Sequence, residues 1–155
     1  MRYEEIVGRV YDVDYLGELG FTQVSVQGNE TSAFVTGEIG IQTVAESSLA
    51  AARLVTVEYK ESDGRKRIRS IRTSIGPGEQ QNMPGRVLEL GFIAKDRCFA
   101  TIATEDGEVK VYTRDSRAQS ILEVAFALSI PVQSLAFEEN EPQGNEITRV
   151  KINRA

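Results

Sequence analysis

The sequence contains no histidine, no tryptophan and only one cysteine among its 155 residues. Without histidine, the chain cannot assemble a Ser/His/Asp or Cys/His arrangement, which are the usual means of nucleophilic and acid–base catalysis at neutral pH. A single cysteine cannot form an internal disulfide, so the chain needs no oxidising compartment. These absences favour a protein that is not an enzyme and that has a cytoplasmic location.

Long apolar runs are also missing. The longest uncharged apolar stretch, 124–132, is much shorter than the roughly 20 residues that cross a bilayer. Acidic residues stand near the beginning of the sequence, where a signal peptide would be basic. We therefore expect neither membrane association nor export. Hydrophobic residues make up 41% and charged residues 26%, with a formal net charge of −5, which is typical of a globular protein.

The sequence does contain an internal repeat. The tripeptide Gly-Arg-Val at 8–10 recurs at 85–87, and the residues that recur at the same offset of 77 include Thr36 as Thr113, Gln42 as Gln119 and Glu46 as Glu123. Near the end of each copy the offset is 79, which aligns Ile68 with Ile147. The stretch between the copies is rich in Pro and Gly and has no apolar periodicity, as is usual for a linker. The sequence predicts two domains, 1–74 and 84–155, joined by a linker, 75–83.

Each copy is predicted to contain five strands and one helix. Alternating apolar residues indicate the strands, and Asp106-Gly107 indicates a tight hairpin. Apolar residues at helical spacing over 121–129 indicate the helix, which Pro131 ends. The order β-β-β-α-β-β predicts a mainly β fold made of two tandem five-stranded OB-like barrels. An SH3-like barrel and a split α+β sheet are the alternatives.

The strongest charge feature is a basic strip within 65–72, formed by Arg65, Lys66, Arg67, Arg69 and Arg72. Arg149 and Lys151 stand at similar positions in the second copy. The strip suits an anionic ligand, because local positive potential persists in a net negative protein. The competing interpretation, which the sequence favours, is an edge strand whose charges prevent aggregation.

Other candidate sites receive less support. Single-stranded nucleic acid requires exposed aromatic rings for base stacking, whereas the alternation predicts core positions for these aromatic residues: Tyr11, Tyr15, Phe34, Tyr59, Phe92, Phe99, Tyr112, Phe126 and Phe137. Cys98 is also predicted to be core. Asp12 and Asp14 share one face of the first strand, which indicates a solvated face rather than a metal site. No motif for a phosphate-binding loop is present, and we expect no cofactor.

These patterns rank three functions. The first is a non-enzymatic binding or assembly module that acts through its surfaces on a protein partner or on itself. The second is binding of an anionic ligand or single-stranded nucleic acid by the strand 65–72, with Arg149 and Lys151. Nucleic acid is possible but not favoured, because the sequence pI is about 4.9 and nucleic-acid-binding domains are commonly basic. The third is a hydrolase that uses carboxylates alone.

Overall fold

The computed structural model describes residues 2–76, 78–79 and 83–154. The first half contains β1 (Glu4–Leu16), β2 (Phe21–Gln27), β3 (Thr31–Thr36), α1 (Ile39–Ala51), β4 (Leu54–Ser62) and β5 (Arg65–Ser74). The second half contains β6 (Val87–Ile93), β7 (Arg97–Thr104), β8 (Gly107–Thr113), α2 (Ser116–Leu128), β9 (Val132–Asn140) and β10 (Gly144–Ile152). The mainly β class is confirmed. Of the predicted linker 75–83, residues 77 and 80–82 lie outside the described residues.

The first half forms a closed five-stranded barrel. Its long first strand, β1, pairs with β4 through 4–9 and with β2 through 9–16. The remaining antiparallel ladders join β2 to β3 and β4 to β5. A parallel contact between Val35 of β3 and Arg67 of β5 closes the ring. Closure leaves the apolar interior, which includes Phe34, Val57 and Ile71, without solvent exposure.

β5 is an internal strand of the sheet. Its first half lies between β3 and β4, and its second half pairs with β4 on one side and with β6 on the other. The interpretation of the basic strip as an edge strand is therefore wrong. The physical reason is that an edge strand pairs on one side only, and barrel closure and the β5–β6 ladder supply the second neighbour.

The second half continues the same sheet. β6, β7 and β8 form antiparallel ladders, and β10 contacts β8 in parallel and β9 in antiparallel fashion. In the described part of the chain no ladder joins β9 to β6, but Val132 at the start of β9 donates a backbone hydrogen bond to the carbonyl oxygen of Gly85 at 2.8 Å, where Gly8 and Val55 pair in the first half. The ladder from Ser70 and Ile93 to Ser74 and Glu89 links the two halves into one ten-stranded sheet.

The strand registers of the two halves correspond. Thr36 lies opposite Thr22 in the β2–β3 ladder, and Thr113 lies opposite Cys98 in the β7–β8 ladder. The β4–β5 ladder skips Arg69, and the β9–β10 ladder skips Thr148 at the same place. The ladders thus match Cys98 to Thr22, whereas the sequence offset matched it to Phe21. The turn between β1 and β2 is longer than that between β6 and β7, which accounts for the difference.

The two helices pack against each other. The buried Gln119 side chain of α2 donates from Nε2 to the carbonyl oxygen of Gly40 at 3.0 Å and to Thr43 Oγ1 at 3.1 Å. Gly40 also faces the Phe92 ring, and a Cβ at this position would lie 2.3 Å from it. The absence of a side chain at Gly40 therefore allows α1 to approach β6 closely.

Burial agrees with the sequence at most, but not all, of the predicted core positions. Cys98 is confirmed as a core residue, and burial raises the pKa of its thiol. Tyr11, Tyr15 and Phe137 are wrong predictions, because their side chains are 49%, 73% and 39% exposed. The prediction for Phe99 is also wrong, because this half-buried residue does not belong to the core cluster. The part of the chain that the structure describes contains no helix with the length and apolarity needed to cross a membrane.

Candidate functional site

A row of directly paired residues crosses four neighbouring strands on the outer side of the sheet. Arg72 of β5 lies opposite Gly91 of β6, Gly91 opposite Phe99 of β7, and Phe99 opposite Tyr112 of β8. Directly paired residues in antiparallel strands point to the same side. The next row, Thr73, Leu90, Ala100 and Val111, is buried on the opposite side. We call the outer side of β5–β8 the outer surface.

The outer surface contains a cavity of about 270 Å³ near its β7–β8 end. Its walls come from β7, β8, the β6–β7 turn and the β9–β10 turn. The lining residues are Ile93, Asp96, Arg97, Phe99, Lys110, Val111, Tyr112, Gln143, Gly144 and Asn145. Both apolar and cationic side chains therefore face one concave space.

Two arginines cover the ring of Tyr112. The guanidinium carbons of Arg97 and Arg114 lie 4.4 Å and 5.2 Å from the ring centroid, within the range of a cation–π contact. Asn140 Nδ2 donates to the Tyr112 hydroxyl at 3.1 Å. Tyr112 is consequently buried, although it belongs to the outer surface. Of the two arginines, Arg97 lines the cavity together with Tyr112.

Polar contacts fix the position of Arg97. It donates from Nη1 to the carbonyl oxygen of Gln143 at 2.7 Å, which joins β7 to the β9–β10 turn. Asp96 lies 3.3 Å from Arg97 Nε and 3.4 Å from Arg114 Nη2. One carboxylate thus faces two guanidinium groups, and Lys110 adds a further exposed cation beside them. The cavity wall is positively charged despite the net negative charge of the chain.

The Phe99 ring depends on a glycine. A Cβ on Gly91 would lie 2.2 Å from the ring, which is closer than real atoms approach. The ring therefore occupies the space that any side chain at position 91 would fill. Because Phe99 is half-buried, one part of the ring remains accessible from the cavity, as its presence in the lining indicates.

The structure divides the basic strip between two sides of β5. Arg65 lies over Phe21 at 4.9 Å, and Arg69 lies over Tyr3 at 4.5 Å and pairs with Glu58 at 2.6 Å. Lys66 instead stands 5.8 Å from the Phe34 ring and 5.6 Å from the Tyr59 ring. Since Phe34 is a fully buried barrel residue, Lys66 points to the barrel interior and away from the outer surface.

Arg67 and Arg72 are exposed, and neither forms an ion pair with another residue that the structure describes. The strip also reaches the cavity region, because Arg69 accepts a backbone hydrogen bond from Ala94 in the β6–β7 turn at 2.7 Å. Among the outward-facing strip residues Arg69 is already paired with Glu58, so Arg65, Arg67 and Arg72 are the ones that form no ion pair with another described residue.

Arg149 and Lys151 are not part of this group. Both are exposed on β10, where they lie opposite Ala136 and Ser134 of β9. Strands β6, β7 and β8 stand between β10 and β5 in the sheet. The correspondence of the two copies in sequence therefore does not bring the two basic segments together.

Sequence reasoning missed the cavity residues Arg97, Phe99 and Lys110. Their grouping depends on the register of three strands and on two turns, which single-sequence patterns do not define. One signal was present: Arg97 and Lys110 stand at the outward positions of strands with strong alternation, where cations are conspicuous.

A separate polar cluster lies between the helices. Gln119 Nε2 donates to Glu123 Oε2 at 3.0 Å, and burial raises the pKa of Glu123. In the first half Gln42 Nε2 and Glu46 Oε2 are 3.4 Å apart. Within the described ranges, no group of three or more Cys, Asp or Glu side chains could hold a metal ion.

Comparison with protein-family models, with curated proteins and with solved structures finds no match. Function is therefore inferred from the geometry and charge of the outer surface alone.

Proposed function

We propose that the chain is a tandem duplication of an OB-like barrel, with a closed first copy and a second copy in which β6 and β9 form no ladder, and that it is a non-enzymatic module binding single-stranded nucleic acid. The β5–β6 ladder is the observation that carries this proposal. It sets Arg72 in one row with Gly91 and Phe99, so the basic strip and the cavity lie on one continuous surface.

The matching registers support the duplication. Each half has the order β-β-β-α-β-β, and in each the third strand contacts the fifth in parallel, through Val35 and Arg67 or through Tyr112 and Glu146. OB-folds bind oligonucleotides on strands two and three, between the loops that follow strands one and four. The corresponding elements of the second half are β7, β8 and the two turns that line the cavity.

The side chains on this surface suit the two parts of a nucleotide. Arg67, Arg72 and Lys110 are exposed cations that can contact phosphates. The accessible part of Phe99 and the guanidinium of Arg97 offer flat groups for a base. Stacking of a base on an aromatic side chain contributes about 1–3 kcal/mol and tolerates any base sequence. We therefore expect binding without strong sequence preference.

The net charge of −5 opposes binding of any polyanion. A favourable contact then depends on the local cluster of cations, and its strength should fall steeply as salt screens them. We expect binding to be detectable at low salt and lost at high salt.

Fluorescence anisotropy with a labelled single-stranded oligonucleotide tests the proposal. Arg72→Gln should weaken binding and reduce the salt slope by about one, as expected for the loss of one phosphate contact. Lys66→Gln is the matched control, because it removes the same charge from the same strip but from a side chain that faces the barrel interior.

Equal losses in the two variants would contradict the proposed surface, because they would indicate a response to total charge alone. Absence of binding by the unaltered chain at low salt would refute nucleic-acid binding itself.

A further inference from the structure

Two strand segments that correspond to β5 and β6 have one unpaired edge in the described part of the chain. Residues 10–16 of β1 correspond to β6 and pair with β2 alone. Residues 149–152 of β10 correspond to the paired segment of β5, and they pair with β9 alone. The two strand edges that would form a second contact like the β5–β6 ladder are therefore both unpaired, and they lie at opposite ends of the sheet.

Transferring the β5–β6 register to these segments gives a specific ladder. Adding the offset of 79 to residues 70–74 of β5 gives 149–153 of the second half, and subtracting the offset of 77 from residues 89–93 of β6 gives 12–16 of the first half. On the outer side, Lys151 then lies opposite Asp14, and Arg149 lies opposite Leu16. On the core side, Val150 meets Tyr15.

The side chains on the two segments are complementary. Asp12 and Asp14 are exposed on β1, and Arg149 and Lys151 are exposed on β10. Opposite charges placed directly across a ladder stabilise strand pairing, whereas like charges destabilise it. Lys151 and Asp14 form the directly opposed pair, and Arg149 and Asp12 stand diagonally from it, within reach of long side chains.

The exposed Tyr15 lies on the segment that this contact would cover. Its counterpart in the second half is Phe92, which packs against Gly40 at the start of α1. Among the described residues no helix covers the Tyr15 side chain, which is 73% exposed. In the transferred contact the counterpart of Gly40 is Arg117 of α2, whose Cβ would fill the space that the Phe92 ring occupies beside Gly40, so the Tyr15 ring must turn aside from the Phe92 position. The Arg117 side chain is 89% exposed and is able to form a cation–π contact with the ring.

The helix contact also has its counterparts. Within the chain, Gln119 donates to Gly40 and Thr43 across the helix pair. Gln42 of a second copy would stand in the same relation to the carbonyl oxygen of Arg117 and to the Ser120 hydroxyl. The sheet part of the internal junction is thus present at the two ends of the molecule, and the hydrogen-bonding groups of the helix part are present without the glycine that allows α1 to approach β6.

We propose that this chain binds a second copy of itself head to tail, through β10 of one copy and residues 10–16 of β1 in the next. A heterologous contact of this kind forms a ring if its rotation closes and a filament if it does not. The proposal rests on the proposed duplication but not on the proposed ligand, so it is tested without nucleic acid.

Sedimentation velocity across a concentration series at low salt is the primary experiment. The unaltered chain should show species heavier than the 17.1 kDa monomer, in amounts that increase with concentration. Asp14→Lys and Lys151→Glu should each weaken self-association by roughly tenfold or more, because each places like charges opposite one another. Glu105→Lys, in the exposed β7–β8 turn, is the control with the same charge change as Asp14→Lys.

Mixing the two variants distinguishes this interface from a general charge effect. The altered β1 of the first variant and the altered β10 of the second carry opposite charges, and so do their unaltered β10 and β1, so the mixture should form assemblies in which the two variants alternate, although each variant alone associates weakly. If the unaltered chain stayed monomeric across the whole concentration series, the proposal would be overturned. A control variant that weakens association equally, or a mixture of folded variants that remains monomeric, would do the same.

Discussion

The contact between Gly91 and Phe99 gives a prediction whose sign depends on the background in which it is measured. A methyl group at Gly91 would lie 2.2 Å from the Phe99 ring, so Gly91→Ala must displace the ring. Overpacking of this kind costs about 1–3 kcal/mol. Replacing glycine within a strand also recovers roughly 0.5–1 kcal/mol of backbone entropy. The net expectation is a loss of about 1 kcal/mol, or a decrease in Tm of about 2–4 °C for a chain of this size.

The Phe99→Ala background removes the ring and therefore the clash. Gly91→Ala should then stabilise the protein by roughly 0.5–1 kcal/mol, because only the entropy gain remains. The assay is urea unfolding of the four chains of a double-mutant cycle, with oligonucleotide binding measured on the same samples. The same sign of the Gly91→Ala effect in both backgrounds would refute the described contact between glycine and ring.

Three further predictions concern the helices. Gly40→Val should destabilise the protein, because its Cβ would lie 2.3 Å from the Phe92 ring; thermal unfolding that matches the unaltered chain would contradict this packing. Burial raises the pKa of Glu123, so its contribution to stability is fully present below the unfolded pKa and is lost as pH rises through the folded value. Glu123→Gln should therefore raise Tm more at pH 8 than near pH 4, and an increase independent of pH would count against the assignment. Hydrogen bonds from Arg117 lower the pKa of Asp115 to about 2, so its contribution is present above the unfolded pKa and is lost as pH falls towards 2. Asp115→Ala should thus lower Tm at neutral pH but much less near pH 2. Thermal unfolding followed by circular dichroism at both pH values is the test, and an equal decrease in Tm at the two pH values would contradict the prediction.

The order of the secondary structure could be predicted from the sequence because each element has a strong local pattern. The alternation in β7 and β8, the Asp106-Gly107 turn and the helix before Pro131 are all local features. The offsets between the copies then transferred each assignment to the other half. The same local reasoning could not predict that β5 would be internal, since its second neighbour comes from β3 in its first half and from β6 in its second.

Exposure of Tyr11 and Tyr15 could not be predicted for a related reason. Alternation identifies the two faces of a strand, but it does not show whether a neighbouring element covers a face. Phe92 and Tyr15 occupy corresponding positions, yet α1 packs on Phe92 alone. The difference arises because Phe92 lies at the junction between the two halves, whereas Tyr15 does not.

The basic strip was identified correctly as a charge cluster. Ordinary alternation turns Lys66 inward and Arg65 and Arg67 outward, and the β-bulge at Arg69 changes the alternation only for the residues that follow it. Residues that line the cavity were missed because Arg97, Lys110 and Gln143 come together only through the pairing of separate segments.

An NMR titration with a single-stranded oligonucleotide tests most directly whether β5 and the cavity form one binding surface. Backbone amide signals of 67–72 and of 97–112 should shift together and saturate with one dissociation constant, while those of 149–152 should remain unchanged. Shifts confined to one of the first two segments, or different dissociation constants for them, would contradict the account.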